Sequence, residues 1–366
     1  MSVRLAYFRC PRTSTRLSEM NMDVTRTRLW AYCCALTASL ALGAPSLAQS
    51  VPESAAERVI ELTEHVGKPP VVSAVALSPS GELLATAGDD HQVRVWQFRT
   101  GRLVHTLKSH SDWVRALAFS PDGSLLASGG DDRRVMLWSV DAGRLEREAK
   151  ATGHTVYALA FRKDGKQLAV AGFCAELWIY DPATGEVLNK LACPNDDIRT
   201  LAYSPNGKLL AAAGRAGVVR LWDAASNEQL RDITASSRKI NTLSFAPDSG
   251  LFVVAGDERL IRLWNPETSK EILSLPVPAG KVHSSAFCGQ ERLATGGTDN
   301  TIHLWDLGQG RQQAKLSGHT GSVAGLTFDR GSNRLISGSF DTTVRVWAID
   351  EKDIVRREAP AIRGTR

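Results

Sequence analysis

The chain is 366 residues long, 43% apolar and 23% charged, enough to bury a large core and without the bias of disordered or collagen-like chains. Its formal net charge of +5 comes from its beginning: residues 1–48 hold six Arg against Glu19 and Asp23, which leaves 38 basic and 37 acidic groups after them. With that balance, and no Lys/Arg run interleaved with aromatic residues, the sequence carries no electrostatic footprint for DNA or RNA, and no nucleic-acid partner is expected.

Residues 1–48 read as a signal peptide. Arg26 and Arg28 precede the fifteen-residue run LWAYCCALTASLALG (Leu29 to Gly43), and Ser46 and Ala48, two apart, form an A-x-A-like cleavage site that puts the mature start near Gln49. A retained anchor is the alternative, but a bilayer span needs roughly 20 apolar residues, so no stable membrane span is expected after cleavage. A lipoprotein signal fits poorly, because the bulky Tyr32 precedes Cys33. Residues 1–21 look unlike a leader, and Met22 in MDVTRTRLW is an alternative start. The expected location is therefore outside the cytoplasm, periplasmic or secreted. Cys10, Cys33 and Cys34 lie in the leader, leaving Cys174, Cys193 and Cys288, an odd set that allows at most one internal disulfide. Residues 49–56 read as a linker.

From there the chain repeats. Trp96, Trp138, Trp178, Trp222, Trp264, Trp305 and Trp347 are spaced by 42, 40, 44, 42, 41 and 42 residues. Around them stand VRVW, VMLW, ELWIY, VRLW, IRLW, IHLW and VRVW, alternating or β-branched segments that read as strands. Upstream of each lie two more strands joined by a turn, filled by SPSG, SPDG, KDG, SPNG and APDSG in the first five units. Downstream comes a second turn and a fourth strand, as in DPATGEVLNKLA. A four-stranded sheet cannot bury both faces alone, so successive sheets must stack, and seven stacked radially close into a ring. After Trp347 the charged tail 350–366 has little strand pattern, whereas ERVIELTEH (Glu57 to His65) is similar to the fourth strand GRLVHTLKSH (Gly101 to His110). The N-terminal strand is thus expected to complete the last sheet and leave no open edge.

The period, the LAFSPDG turn, the pairs Gly153-His154 and Gly318-His319, and the dipeptides Trp222-Asp223 and Trp305-Asp306 resemble WD repeats over residues 57–349. The resemblance implies an all-β, seven-bladed β-propeller of four-stranded antiparallel blades. It also implies a hydrogen-bonded network inside a blade, made of a loop His, a second-strand Ser or Thr, a loop Asp and the third-strand Trp. Carried over by position, the members are His110, Ser128, Asp132 and Trp138 in the second unit and His319, Ser337, Asp341 and Trp347 in the seventh. The first has His65, Thr86, Asp90 and Trp96. The sixth keeps Thr295 and Asp299 but has Pro278 in place of His, and the fourth has lost both His and Asp, to Pro194 and Ala216. The third retains His154, while a two-residue shortening removes its Asp.

By the same resemblance, the loops entering the first strands and those between second and third strands share one rim, the usual binding face. Its candidate contact residues are Trp113, Arg115, Tyr157, Arg199, His283, Asp89, Asp131 and Phe340, several of them the aromatic and Arg types that dominate interface energetics. No P-loop, GxGxxG, HExxH, CxxC, EF-hand or GxSxG pattern occurs, and the eight His fall without metal-ligand spacing. No catalytic residue, cofactor or metal is therefore assigned. In the hairpin CAELWIYDPATGEVLNKLAC, counting outward from the turn sets Tyr180 opposite Val187 and Cys174 opposite Cys193, within reach of the about 4.4–6.8 Å Cα separation of a disulfide; two free thiols are the alternative. The expectation is an exported monomeric propeller that docks a protein or peptide on one rim without catalysis. The alternative is an enzyme or small-ligand sensor working around the central channel.

Overall fold

The computed structural model describes residues 51, 53–61, 69–149, 153–194 and 196–349. The leader, Met22, His65 and the tail 350–366 lie outside the described residues. Every regular element among the described residues is a β-strand, and the strands form seven four-stranded antiparallel blades, the sixth widened to a five-stranded sheet by a two-residue parallel strand. Blade 2 is representative: Val114–Phe119, Leu125–Gly130, Val135–Ser139 and Arg144–Glu148. First strands of neighbouring blades touch all the way round, blade 7 against blade 1 included, so the ring is closed.

Position in the blade decides composition. Second strands such as Leu168–Gly172 and Phe252–Gly256 are buried at every residue, because adjacent sheets cover both of their faces, and they read as continuous runs of small and aliphatic residues. Outer strands alternate, as the exposed and half-buried residues of Arg144–Glu148 do. The core is repeated between blades, with Leu126, Met136 and Trp138 against Ala85, Val93 and Val95, for example.

The outer strand of blade 7 comes from the N-terminus. Arg58–Glu61 pairs antiparallel with the third strand, Thr343–Ala348, in the register Arg58↔Val346 to Ile60↔Val344 and Glu61↔Thr343. Ile60 is buried with Val72, Leu84 and Trp96; such burial stabilises by about 1.5–3 kcal/mol. Arg58 donates to the carbonyls of Phe98 and Arg99 in blade 1, and Glu57 pairs with Arg334 at 2.5 Å. One strand therefore closes blade 7 and ties it to blade 1. The preceding stretch is more than a connection: within 49–56, read as a linker, Glu53–Ser54 runs parallel to the outer strand of blade 6 and pairs with Lys315 and Leu316.

Blade 3 differs from its sequence reading. Tyr180, not Trp178, stands opposite Leu168, as Trp138 stands opposite Leu126 and Trp222 opposite Leu210. Counted through Tyr180 the spacing is 42 residues on both sides, so nothing is shortened. Trp178 lies two positions earlier, at the place of Met136 and Arg220. The hairpin register differs as well. Tyr180 does face Val187, but a bulge between Ile179 and Tyr180 moves every later pair by one, so Glu176 faces Ala192 and Cys193 donates to the Ala175 carbonyl rather than facing Cys174. Cys174, Cys193 and Cys288 are free thiols, and burial pushes the Cys193 thiol up to about 12.

Candidate functional site

In every blade the first and second strands slip by one residue at the same place, leaving Ser73, Arg115, Tyr157, Arg199, Asn241, His283 and Ala324 as the extra residue. A β-bulge re-aims the side chain it frees. Seven bulges in one ring thus present seven side chains at one end of the propeller. Facing them are the residues that follow the second strands. Asp131, Phe173, Arg215, Asp257, Thr298 and Phe340 each donate a backbone N–H to the carbonyl two residues before the bulge, at 2.9–3.1 Å. Glycine precedes five of these six residues, and Ser339 precedes Phe340. Where glycine stands there is no room for more, since a Cβ on Gly130 would lie 1.9 Å from the Trp113 carbonyl oxygen and one on Gly214 1.8 Å from that of Asp197.

On blades 2 to 4 the two rings mesh. Arg115 donates to Asp131 Oδ2 from Nε at 3.0 Å and from Nη2 at 2.6 Å, and its guanidinium lies 4.2 Å from the Trp113 ring centroid and 5.7 Å from that of Tyr157. Tyr157 packs edge-on to Phe173 at 4.9 Å. Arg199 sits over both rings, 4.2 Å from Tyr157 and 4.5 Å from Phe173. The buried carboxylate of Asp197 holds Arg199 Nε at 2.5 Å and Arg215 Nε at 3.1 Å. Each cation–π contact contributes about 0.5–2 kcal/mol according to its exposure, so Trp113, Arg115, Tyr157, Arg199 and Phe173 form one pre-organised ladder.

The remaining candidate contact residues stand at the same end of their blades but outside the ladder. Asp89 accepts the Val71 N–H at 2.8 Å, and Phe340 is 41% exposed. His283 is half-buried; burial lowers its pKa against the opposing pull of Asp257. The sequence analysis does not single out Phe173 or Arg215, although they lie one and two 42-residue periods after Asp131, which it does.

Asp132 has another task. Its Oδ2 lies 2.7 Å from His110 Nδ1, His110 Nε2 lies 2.7 Å from Ser128 Oγ, and Trp138 Nε1 donates to Ser128 Oγ at 2.7 Å. With the carboxylate ionised, one assignment satisfies every group: His110 Nδ1–H donates to Asp132, Ser128 Oγ–H donates to His110 Nε2, and Ser128 accepts from Trp138. Blade 7 repeats this through His319, Asp341, Ser337 and Trp347 at 2.7, 2.7 and 2.9 Å. Burial alone would raise both carboxyls. The imidazole hydrogen bonds, with backbone N–H groups and, for Asp341, Thr343, outweigh it and hold both below the usual range.

The other blades vary the scheme. Blades 1 and 6 keep the hydroxyl–indole bond, from Trp96 to Thr86 and from Trp305 to Thr295, both at 2.9 Å. There the third strand also supplies a partner for the loop carboxylate: Arg94 to Asp90 at 2.6 Å and His303 to Asp299 at 2.7 Å. In blade 5 Ser236 donates to Glu258 at 2.7 Å, but Val254 replaces the hydroxyl and Trp264 Nε1 is buried without a partner. Blade 4 has Ala212 and Ala216. Blade 3 has Val170 and Cys174, which line a small cavity together with His154 and Trp178. His154 therefore occupies the place of Asp112, 42 residues earlier, rather than that of His110.

A WD domain, G-beta repeat family model matches residues 56–97, 101–139, 269–306 and 310–348, and an Anaphase-promoting complex subunit 4 WD40 domain model matches residues 194–248. The chain belongs to the WD40-repeat family. Among curated relatives, it is similar to the U3 snoRNP-associated protein-like EMB2271 of Arabidopsis thaliana (38% identity over 17% of this chain and 13% of that one). It is also similar to the Ribosome biogenesis protein YTM1 of Eremothecium gossypii (38%, over 18% and 14%) and to the uncharacterized WD repeat-containing protein alr2800 of Nostoc sp. (43%, over 14% and 4%). These matches span one or two WD40 repeats and under a sixth of each relative's length. WD40 propellers typically serve as protein–protein interaction scaffolds. Among the described residues of this one, no cluster of three or more His, Cys, Asp or Glu could hold a metal ion, and no helix is long and apolar enough to cross a membrane.

Proposed function

We propose that this WD40 protein is an exported, monomeric, non-catalytic scaffold that docks a protein or peptide on the rim of blades 2 to 4. The observation that carries the reading is the ladder from Trp113 through Arg115, Tyr157 and Arg199 to Phe173. Rigid aromatic and Arg side chains give up little conformational freedom on binding, so the area they cover converts efficiently into affinity. The locks of blades 2 and 7 serve the same end by fixing the loops that carry the rim.

Affinity capture with the tagged full chain from the producing cell tests this. A Trp113→Ala/Tyr157→Ala variant loses the captured protein, whereas Asp164→Ala, in the first-to-second-strand turn at the opposite end of blade 3, retains it. An unchanged capture by the double variant would refute rim docking. The export part of the reading rests on the leader, and N-terminal sequencing of the purified protein checks it: the chain starts near Gln49, and a start at Met1 or Met22 would overturn it.

A further inference from the structure

Blade 4 departs from the ring in a way that protein docking alone does not account for. In blades 2 and 5 the bulge residue and the facing residue satisfy each other, Arg115 with Asp131 and Asn241 with Asp257 at 3.1 Å. In blade 4 both positions are arginine, and both draw on one buried carboxylate, Asp197. Arg199 is enclosed by Tyr157 and Phe173. Among the described residues Arg215 is anchored to Asp197 through Nε, and 71% of its side chain is exposed, which leaves its fork open. A guanidinium gripped at Nε and open at its fork is oriented for a planar, bidentate oxyanion. Phe173, which packs against the Arg199 that shares Asp197 with Arg215, is 40% exposed and offers an apolar face.

Charge separates the candidate anions. Arg199 and Arg215 are balanced by Asp197 and by the exposed Asp196 on the same loop, and Arg115 is neutralised by Asp131. These formal charges sum to zero, which disfavours a dianionic phosphate and leaves short-range, geometric recognition of a monoanion.

We propose that blade 4 binds one Asp or Glu carboxylate of an extended peptide on the Arg215 fork, with a neighbouring apolar side chain of that peptide laid on Phe173. The assignment rests on rim docking and adds the partner's chemistry to it.

A random heptapeptide library displayed on phage, selected on the full chain, supplies the probes. The enriched peptide, its Glu→Gln or Asp→Asn form and its phosphoserine form are then measured by fluorescence polarisation. Enriched peptides carry Asp or Glu next to an aliphatic or aromatic residue. Arg215→Ala weakens binding by about tenfold to a hundredfold with an unchanged thermal midpoint, Arg215→Lys recovers part of it, and the amide peptide is equally weak on wild type and on Arg215→Ala. The carboxylate assignment fails if the amide peptide binds like the acid, if the phosphoserine form binds more tightly, or if no acidic peptide is enriched. If Arg215→Ala has no effect while Trp113→Ala abolishes binding, only the carboxylate assignment falls. If neither variant matters, rim docking falls with it.

Discussion

Blades 2 and 7 and blades 3 and 4 solve the same packing problem with different chemistry. In the first pair a buried serine is the hub of a His–Ser–Asp–Trp network with every group satisfied. In the second pair the hub is Val170 or Ala212, and the loop acid is Cys174 or Ala216. Both kinds of blade keep the same register and the same bulge. The network is therefore not what makes a blade; stacking between sheets does that, and polar groups lost together leave no orphan behind. What the lock adds is a fixed loop. Blades 3 and 4 fix theirs with the ladder and Asp197, so the packed residues Tyr157, Phe173 and Arg199 stabilise as well as present, while the exposed Arg215 adds little.

The largest break in this comparison comes from depriving blade 7 of its borrowed strand. Deleting residues 53–61 removes the antiparallel pairing with Thr343–Ala348 and the burial of Ile60, and exposes an unpaired edge. Size-exclusion chromatography with circular dichroism should find unfolded protein or concentration-dependent oligomers.

Next in size is the hub of blade 2. Ser128→Val leaves His110 Nε2 and the Trp138 indole N–H without partners at once, with an expected loss of about 2–4 kcal/mol in urea unfolding. Installing the blade 4 set, His110→Pro, Ser128→Ala and Asp132→Ala together, should cost less than the sum of the three single changes, because no partner is left unpaired.

Acid probes the same contrast without mutation. Asp132 and Asp341 have depressed folded-state pKa values. Their contribution is therefore complete above the unfolded carboxylate value of about 4 and is lost as pH falls below it. Between pH 7 and pH 3.5 the urea midpoint of wild type should drop further than that of an Asp132→Asn/Asp341→Asn variant, measured in matched buffers.

The smallest effect distinguishes two tryptophans. Trp138→Phe deletes an N–H bonded to Ser128, whereas Trp264→Phe deletes one that is buried with no partner. Thermal melts should place the Trp138 variant lower by about 1 kcal/mol.

Most of the fold is legible in the sequence because the indole period, the turn residues and the N-terminal strand are separate signals pointing to one ring. Blade 3 was misread because residue identity competed with register. Trp178 carried the expected side chain while Tyr180 carried the expected position, and Tyr180 fills that position because burial against Leu168 requires a large ring rather than an indole N–H once Val170 has replaced the hydroxyl. The Cys174 and Cys193 pairing was displaced by a bulge that no residue in the hairpin announces. The rim was half legible. Arg115, Tyr157 and Arg199 recur at 42 residues, but their common origin in a bulge, and their union through Phe173 and Asp197, required the three-dimensional register.

Site-specific photo-crosslinking tests the docking claim most directly. With p-benzoylphenylalanine at Phe173 on the ladder, and in a second protein at Asp164 at the opposite end of the same blade, the account predicts a discrete covalent adduct in the producing cell from position 173 only. An equal adduct from position 164, or an adduct from 164 alone, would contradict a binding face on the rim of blades 2 to 4.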